Sequence, residues 1–260
     1  MRFEGKTVVV TGAGTGIGAA AAGMFLDEGA EVVAVQNVSP APHASRRVSM
    51  SLGNAESIAS ACEQMPGKID ILCNIAGMGA DGNTPEAIIG VNFIGTRMFT
   101  ERLIERIAPG GCVLNTASVA GRFWRSKIEL VREILEMRRF EDVAPFWAAH
   151  QLEHQMSYAL AKSAVVAWTM KLAQTHVRTG PRFNVLSPGF TDTPMLKRAF
   201  ASANESVKQL AKSNNSISAP EDVARIAVFL CSDEARVING ADILADAALM
   251  ATMNCREYAI

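Results

Sequence analysis

The sequence predicts an α/β protein in which helices cover both faces of one parallel sheet. Short apolar segments rich in Val, Ile and Leu alternate along the 260 residues with longer segments of helical periodicity. Continuously apolar segments are typical of strands buried on both faces, and regular alternation of strands with helices is typical of a doubly wound parallel sheet. The length and the lack of repeats or low-complexity linkers favour a single domain over residues 1–260.

The predicted strands are bounded mainly by Gly, Asn or Pro, which are common where a strand passes into a loop. They cover residues 7–11, 31–36, 69–74, 111–116, 182–186 and 242–245, with a further strand beginning at residue 46. Apolar residues at helical spacing fill the intervals between them. The predicted helices cover residues 17–28, 55–64, 91–107, 157–177 and 220–230.

Charge and composition exclude several classes of partner. Lys and Arg number 25 against 26 Asp and Glu, which gives a formal net charge of -1, and no dense basic block is present. Nucleic acids and anionic membranes attract concentrated positive charge, so we expect neither as a partner. No segment has the length and apolarity of a transmembrane helix, and the first residues lack the pattern of a signal peptide. The five scattered cysteines favour reduced thiols and a cytoplasmic location.

A glycine-rich turn follows the first predicted strand. Gly12, Gly16 and Gly18 give the spacing T-G-x-x-x-G-x-G, with Thr15 and Ile17 between them. Backbone N–H groups in such a turn, together with the N-terminus of the next helix, can bind a pyrophosphate. The pattern is neither a strict G-x-G-x-x-G nor a phosphate loop with lysine. A glycine cluster can also be only a tight connection, but its position after the first strand favours nucleotide binding.

Further motifs occur in order along the chain. They are Asn74-Ile-Ala76-Gly77 after the fourth strand, Asn92 in the next helix, Ser118 after the fifth strand, Tyr158-x-x-x-Lys162, and Ser-Pro-Gly-Phe-Thr-Asp-Thr at 187–193. Together with the glycine turn, these motifs resemble the short-chain dehydrogenase/reductase family. The resemblance implies a single-domain Rossmann fold that binds a nicotinamide cofactor and acts on a small-molecule alcohol or ketone.

The resemblance assigns four residues to the chemistry. Tyr158 and Lys162 lie on one face of a predicted helix, where Tyr158 would exchange a proton with the substrate and the Lys162 ammonium would favour the phenolate. Ser118 would orient the substrate oxygen, and Asn92 would steady Lys162 through water and complete a proton relay. Taken singly, each residue has an ordinary structural alternative, such as a solvated helix face for the Tyr/Lys pair or a helix N-cap for the serine.

The same resemblance identifies a set of cofactor contacts. These are Gly12, Thr15, Gly16, Ile17, Gly18, Gln36, Asn74, Ala76, Gly77, Tyr158, Lys162, Pro188, Gly189, Phe190, Thr191 and Thr193. Gln36 stands where an NAD site usually has an acid and an NADP site a nearby arginine. Glutamine can bond ribose hydroxyls without repelling a phosphate, but neither Thr15 nor Asn37 supplies a positive charge, so we favour NAD(H), with NADP(H) as the alternative. The implied chemistry requires no metal.

The interval between Ser118 and Tyr158 is long and predicts a helical insertion over about 122–157. Residues 126–139 have the pattern of an amphipathic helix. The placement resembles the bacterial 3α-hydroxysteroid dehydrogenase/carbonyl reductase subgroup of the family. The sequence His-Gln-Leu-Glu-His at 150–154 also matches the signature of inverted zinc peptidases, which we interpret as a polar helix face because the chain already carries a different complete site.

Residues 193–219 predict a substrate lid, with Met195 and Leu196 as substrate contacts beside Ser118 and Tyr158. An amphipathic surface helix is the alternative. The resemblance implies interconversion of a secondary alcohol and a ketone on an apolar, steroid-like or cyclic molecule, by a homodimer or homotetramer. The alternatives are reduction of an activated carbonyl or quinone, and a catalytically silent protein that senses the cofactor. One departure from the family pattern is Asp-Ala-Ala at 246–248, where Asp-Gly-Gly is usual.

Overall fold

The sheet is parallel throughout, as predicted. The computed structural model describes residues 1–37, 40–178, 180–203, 205, 208–209, 211 and 217–259, and the strands within them form one seven-stranded sheet in the order β3-β2-β1-β4-β5-β6-β7. The strands are β1 Thr7–Thr11, β2 Glu31–Gln36, β3 Arg46–Ser49, β4 Ile69–Asn74, β5 Ile107–Thr116, β6 Arg182–Pro188 and β7 Asp242–Ala245. The strand order reverses between β1 and β4, and ligands bind at the carboxyl ends of strands at such a point.

Helices cover both faces of this sheet. They are α1 Gly16–Asp27, α2 Ala55–Glu63, α3 Pro85–Ile89, α4 Thr96–Leu103, α5 Ile128–Glu136, α6 Val143–His150, α7 Met156–Thr175, α8 Pro194–Ser202, α9 Pro220–Cys231 and α10 Leu249–Tyr258. One apolar core lies under α1 and α9, and two others lie on the opposite face, under α2 and α4 and beneath α7. All residues of β4 are buried, as expected for a central strand covered on both sides.

The predicted helix 91–107 differs from the structure. The chain is already helical in α3, where the Thr84 hydroxyl accepts a hydrogen bond from the Ala87 N–H at 3.3 Å. A π-helical turn at Gly90–Gly95 then separates α3 from α4. Gly95 lies so close to the Leu52 carbonyl that a Cβ there would collide with it. The extra residue of the π turn interrupts the regular period on which the prediction depended.

Strand β5 begins earlier than predicted. It includes Pro109, Gly110 and Gly111, and its pairing with β4 shifts register between Ile69 and Ile71. Proline and glycine are strong turn signals, so this irregular first half of the strand is read from sequence as a loop. The regular half of β5, which leads to the site, is where the sequence predicts it.

Helices α5 and α6 form the predicted insertion between β5 and α7. Val131 and Ile134 are fully buried, and Ile128 and Leu135 are half-buried, so the predicted apolar face is the packed face. The helix is shorter than predicted, because residues 119–127 form a 3₁₀ helix and α5 begins only at Ile128.

The predicted lid includes α8. Lid residues 204, 206–207, 210 and 212–216 lie outside the described residues. Within the described ranges, none of the helices combines the length and apolarity needed to cross a membrane.

Candidate active site

The glycine turn between β1 and α1 is shaped by close backbone contacts. Gly12 has φ +72°, and a Cβ on it would lie 2.9 Å from the Cα of Ala76. Gly18 packs against the carbonyl of Gly12, and a Cβ on Gly16 would lie 2.8 Å from the methyl carbon of Thr193. The turn therefore brings together residues that follow β1, β4 and β6, all of which the sequence assigned to one cofactor site.

The N-terminus of α1 has the properties of an anion site. Thr15 is the N-cap residue, but its side chain makes no capping hydrogen bond, and the first turn of α1 contains no acidic residue. The first N–H groups of a helix have no partner within the helix, and they carry the positive end of its dipole. Ile17 packs beneath this turn against the core. The turn thus offers backbone donors without a competing negative side chain.

Gln36, the last residue of β2, covers this turn. A Cβ on Gly14 would lie 2.7 Å from the Gln36 Nε2, so glycine at position 14 is what allows the amide to lie there. Arg47, which follows in β3, donates from Nε to the carbonyl of Ala41 at 2.8 Å. The guanidinium of Arg47 is therefore directed at the backbone of its own β2–β3 connection.

Ser118, Tyr158 and Lys162 meet beyond the carboxyl end of β5. Gly121 lies directly on the backbone of Lys162, since a Cβ there would be 2.8 Å from the Lys162 carbonyl oxygen, and the Ser163 hydroxyl donates to the Gly121 carbonyl at 3.2 Å. This close approach sets the 3₁₀ helix after β5 against α7. As a result, the Ser118 hydroxyl lies near the phenol of Tyr158 and acts to lower its pKa. The same hydroxyl accepts from the Ala120 N–H at 3.3 Å, so Ser118 also caps the 3₁₀ helix.

Lys162 is buried with 4% of its surface exposed. Its Nζ donates to the carbonyl oxygen of Thr116 at 2.9 Å and lies 5.8 Å from the centre of the Tyr158 ring. Burial lowers the pKa of the Lys162 ammonium to about 8. Thr116 was not predicted as a site residue, because a backbone acceptor leaves no trace in the sequence.

The pKa of the Tyr158 phenol is raised. Burial is the larger cause, since it disfavours the phenolate, and the nearby Ser118 hydroxyl opposes it. The sequence predicts that the Lys162 ammonium favours the phenolate, but desolvation of the phenol dominates its pKa. The phenol is therefore protonated at neutral pH.

Asn92 occupies the π-helical turn and is 1% exposed. Its Oδ1 accepts from the Met78 N–H at 3.0 Å, and its Nδ2 donates to the carbonyls of Met78 at 2.8 Å and Ile88 at 3.0 Å. Gly77 lies between this side chain and Lys162: a Cβ there would be 2.8 Å from Asn92 Oδ1 and 3.4 Å from Lys162 Nζ. Asn92 thus lies on the other side of Gly77 from Lys162, and its side chain fixes the loop after β4. Its predicted role towards Lys162 stays a prediction.

Asn74 belongs to a buried polar network below the site. Its Nδ2 donates to Thr100 Oγ1 and to Asn115 Oδ1, both at 2.8 Å, and Asn115 Nδ2 donates to Thr169 Oγ1 at 2.9 Å. The network joins β4 and β5 to α4 and α7. Both N–H groups of the Asn74 amide are used within the protein, so its predicted contact with a cofactor stays a prediction.

The segment after β6 reaches the glycine turn through its last residue. Gly189 lies on the backbone of Asp246, the Thr191 hydroxyl donates to the Gly189 carbonyl at 3.3 Å, and the ring of Phe190 lies 5.6 Å from that of Phe200. Thr193 caps α8, with its hydroxyl accepting from the Leu196 N–H at 3.2 Å. Pro188 ends β6 and directs the segment out of the sheet.

Of the two predicted substrate contacts in α8, Met195 lies nearer the site. A Cβ on Gly79 would be 3.5 Å from the Met195 Cγ, so Met195 covers the loop that also contacts Asn92. Leu196 is half-buried, and its N–H is used by the Thr193 cap.

His150 and His154 do not converge in the manner that a shared metal requires. Helix α6 ends at His150, and Gln151 adopts φ +47°, so the two histidines are not one turn apart on a helix. His150 Nε2 lies 2.9 Å from Glu133 Oε2, whereas His154 Nε2 lies 2.6 Å from the carbonyl of Asn83. His150 therefore joins α6 to α5 within the insertion, whereas His154 contacts the loop that follows β4.

The parallel sheet and the glycine turn at its topological switch define a Rossmann-type nucleotide-binding protein. Residues 6–128 match a family model described as short chain dehydrogenase, and residues 144–249 match one described as enoyl-(acyl carrier protein) reductase. The chain is 32% identical to the coniferyl-alcohol dehydrogenase of Pseudomonas sp. (strain HR199 / DSM 7063), an alignment that covers 97% of this chain and 99% of the relative. It belongs to the short-chain dehydrogenase/reductase family and is an oxidoreductase of that family.

Two further comparisons agree with this assignment. The chain is 30% identical to the meso-2,3-butanediol dehydrogenase of Serratia marcescens, over 97% of each protein. Its fold matches the crystal structure of the 3-alpha-hydroxysteroid dehydrogenase from Pseudomonas sp. B-0831, complexed with NADH, with a TM-score of 0.80 at 22% identity, over 96% of this chain and 99% of that one. The second comparison shows the fold alone.

Proposed function

We propose that the protein is an NAD(P)-dependent dehydrogenase that interconverts an alcohol and a carbonyl compound on an apolar small molecule. The observation that carries the proposal is the proximity of the Ser118 hydroxyl to the Tyr158 phenol, whose pKa it lowers, with the buried ammonium of Lys162 beside them. Two hydroxyl groups from different elements then converge where one substrate oxygen can contact both.

The glycine turn would hold the pyrophosphate of the cofactor. The uncapped N-terminus of α1 would supply the donors, and the missing side chains at Gly12 and Gly16 let Ala76 and Thr193 pack closely against the turn. Gln36, which lies over the turn, would contact the adenosine ribose, and the diversion of Arg47 to the Ala41 carbonyl supports a preference for NAD(H) over NADP(H). Bound in this way, the nicotinamide would supply the hydride acceptor and donor.

In alcohol oxidation, Tyr158 would accept the hydroxyl proton of the substrate, and Ser118 would hold the substrate oxygen in place. The phenol must first lose its own proton. The Lys162 ammonium, positioned through the Thr116 carbonyl, would stabilise the phenolate once a ligand excludes water from the site. Asn92 would keep the loop after β4 in contact with Lys162 through the Gly77 position.

The proposed substrate class is supported by the apolar residues of the predicted lid and by the relatives. Met195 presents an apolar surface to the loop at Gly79, which suits a cyclic or steroid-like secondary alcohol. Similarity along nearly the whole chain to a coniferyl-alcohol dehydrogenase supports a second candidate, an aromatic allylic alcohol that would be oxidised to an aldehyde. Reduction of an activated carbonyl or quinone remains the alternative within the same chemistry.

The protein would work in the cytoplasm as a homodimer or homotetramer. Strand β7 lies at the edge of the sheet, and beside it Val223, Ile226 and Leu244 line an apolar groove. A second copy of the chain, pairing along this edge, would cover both features. Light scattering of the purified protein tests the association, and a monomer at micromolar concentration would argue against it.

The proposed function is tested by cofactor binding followed by turnover. Thermal unfolding with NAD and with NADP identifies the cofactor, since a ligand that binds only the folded state raises its stability. Turnover is then measured with cyclic and steroid alcohols, aromatic allylic alcohols, ketones and quinones, from the absorbance of the reduced nicotinamide. Cofactor binding without turnover of any of these substrates would instead support the alternative of a cofactor-sensing protein.

A further inference from the structure

The loop after β4, residues 78–83, is held from three sides. The Asn92 side chain bonds both the N–H and the carbonyl of Met78. His154, between the insertion and α7, reaches the Asn83 carbonyl with its Nε2 at 2.6 Å. Arg198 of α8 approaches from the third side, with its Nε 3.8 Å from the Asp81 Oδ2.

The loop is also internally ordered. Nδ2 of Asn83 donates to the carbonyls of Gly79 and Asp81, both at 3.0 Å. The Asp81 side chain is only 15% exposed, although it is charged, and its Oδ1 lies 2.5 Å from where a Cβ on Gly79 would be. The backbone of Asp81 is therefore held by the loop itself, and its carboxylate lies beside Gly79, where Arg198 of α8 approaches it.

Helix α8 contacts the site at two separate points. Its N-cap, Thr193, lies on Gly16 of the glycine turn. Further along, Met195 lies over Gly79 and Arg198 pairs with Asp81. Met195 and Arg198 are three residues apart and so lie on one face of the helix. The first contact is at the cofactor end of the site, and the second is over the loop at its substrate end.

We infer that Asp81 and Arg198 form a positioning pair that holds α8 closed over the substrate end of the site. The inference rests on the proposed function, because it assigns α8 to the substrate. The pair joins two segments that are distant in the sequence, so it supplies an attachment that the local structure of α8 does not.

The same helix provides a matched control. Lys197 Nζ lies 3.1 Å from Asp192 Oδ1, and both side chains are more than half exposed. This pair lies within one local segment and does not reach the loop after β4. Replacing Lys197 removes a positive charge from α8, just as replacing Arg198 does, but it leaves the attachment of the helix to the loop after β4 intact.

The size and the salt dependence of the effect follow from the exposure of the pair. The Arg198 side chain is 65% exposed, and ion pairs of this kind change an equilibrium by about fivefold at most. Salt screens such pairs. We therefore expect Arg198→Met to raise the KM for the alcohol about three- to fivefold at low salt, with little change in the KM for the cofactor, which depends on the Thr193 contact.

Hydrogen–deuterium exchange of the amides in α8 tests the pair independently of turnover. We expect Arg198→Met and Asp81→Asn to speed exchange in α8 by about three- to fivefold at low salt, and high salt to bring the wild type close to the variants. The amides of Lys197→Met should exchange at the wild-type rate. The double variant Asp81→Lys/Arg198→Glu, which swaps the two charges, should restore slow amide exchange in α8.

The inference is overturned if Arg198→Met exchanges like the wild type, or if Lys197→Met changes α8 as much as Arg198→Met does. Because this measurement uses the protein without substrate, it can succeed even if no alcohol is turned over. In that case the proposed function fails and the pair stands. If alcohols are turned over and the exchange rates are unchanged, the pair fails and the function stands.

Discussion

The Nζ of Lys162 donates to the backbone carbonyl of Thr116 at 2.9 Å, which holds a nearly buried ammonium at the carboxyl end of β5. One hydrogen bond from a neutral carbonyl compensates only part of the lost hydration of a charge. The pKa of Lys162, lowered to about 8 by burial, reflects this cost. The arrangement is therefore a source of instability that the protein retains at its site.

Replacing Lys162 with methionine should stabilise the protein near neutral pH. The pKa of the ammonium is about 8 in the folded protein against an ordinary value of 10.5, so folding disfavours the charged form. This cost is present in full below pH 8. Between pH 8 and 10.5 the folded protein binds fewer protons than the unfolded protein, so stability rises with pH, and above 10.5 the cost has disappeared. The maximum gain is about 3 kcal/mol, less the loss of the hydrogen bond to Thr116.

Urea unfolding of the wild type and of Lys162→Met, near neutral pH and above about pH 10, checks this prediction. Comparing the two proteins at each pH cancels the contributions of other titrating groups, such as the buried thiols of Cys112 and Cys231, whose pKa values are raised. We expect the advantage of the variant to shrink at high pH. If the variant is less stable than the wild type by the same amount at both pH values, burial of the Lys162 ammonium does not destabilise the folded protein.

Gly77→Ala should damage the site because there is no space for a Cβ. The added carbon would lie 2.8 Å from Asn92 Oδ1 and 3.4 Å from Lys162 Nζ, and neither buried side chain can move without breaking its hydrogen bonds. We expect a loss of about 1–3 kcal/mol in the free energy of unfolding, together with a fall in kcat. Gly67→Ala is the control, since a Cβ there meets no atom within 4 Å. Equal stability and activity of the two variants would show that the packing around Gly77 is looser than described.

Ala248→Gly should not destabilise the protein, and we expect it to add up to about 1 kcal/mol. Ala247 and Ala248 have φ +47° and +63°, in the left-handed region, where a residue with a Cβ costs about 1–2 kcal/mol. Glycine relieves this strain but loses about 0.5–1 kcal/mol through the greater freedom of the unfolded chain. Chemical denaturation measures the difference. The same substitution at Ala251, exposed within α10, should cost about 1 kcal/mol, and an equal loss at both positions would refute the strain at Ala248.

Gln36→Arg should shift the cofactor preference towards NADP. The Gln36 amide lies over Gly14, where an arginine would bring a positive charge to the ribose end of the turn. A charge-assisted contact with the 2′-phosphate should change the ratio of kcat/KM for NADP and NAD by about tenfold or more. Arg46→Gln, on an exposed residue of β3, is the control. If Gln36→Arg leaves the ratio unchanged, Gln36 does not face the ribose.

The strands and the motif residues are predictable because their signals are local. β1, β2 and β4 are apolar runs bounded by turn residues, and the predicted limits of these strands equal the observed ones. The sequence does not predict the irregular first half of β5, because Pro109 and Gly110 are typical of a turn. The π-helical turn that carries Asn92 has no signature, since it depends on the close approach of Gly95 to Leu52.

Long-range contacts within the site are likewise absent from the local pattern. Tyr158 and Lys162 share a helix face by spacing alone, but the carbonyl of Thr116 that holds Lys162 comes from a different element. Gly121, which packs on the backbone of α7, and Asp81, which pairs with Arg198, also contact elements that are distant in the sequence. The sequence pattern therefore predicts candidate site residues, but it does not predict the groups that position them.

The measurement that tests the central claim most directly is the turnover of Tyr158→Phe compared with Tyr258→Phe. These are the two tyrosines of the chain, and Tyr258 is 67% exposed at the end of α10. With the cofactor and alcohol identified in the substrate panel, we expect Tyr158→Phe to lose about 100-fold or more in kcat while it still binds cofactor, because a positioned acid or base contributes about 10²–10⁴-fold. Tyr258→Phe should match the wild type. If folded Tyr158→Phe turns over as fast as Tyr258→Phe, Tyr158 is not the proton-transfer group.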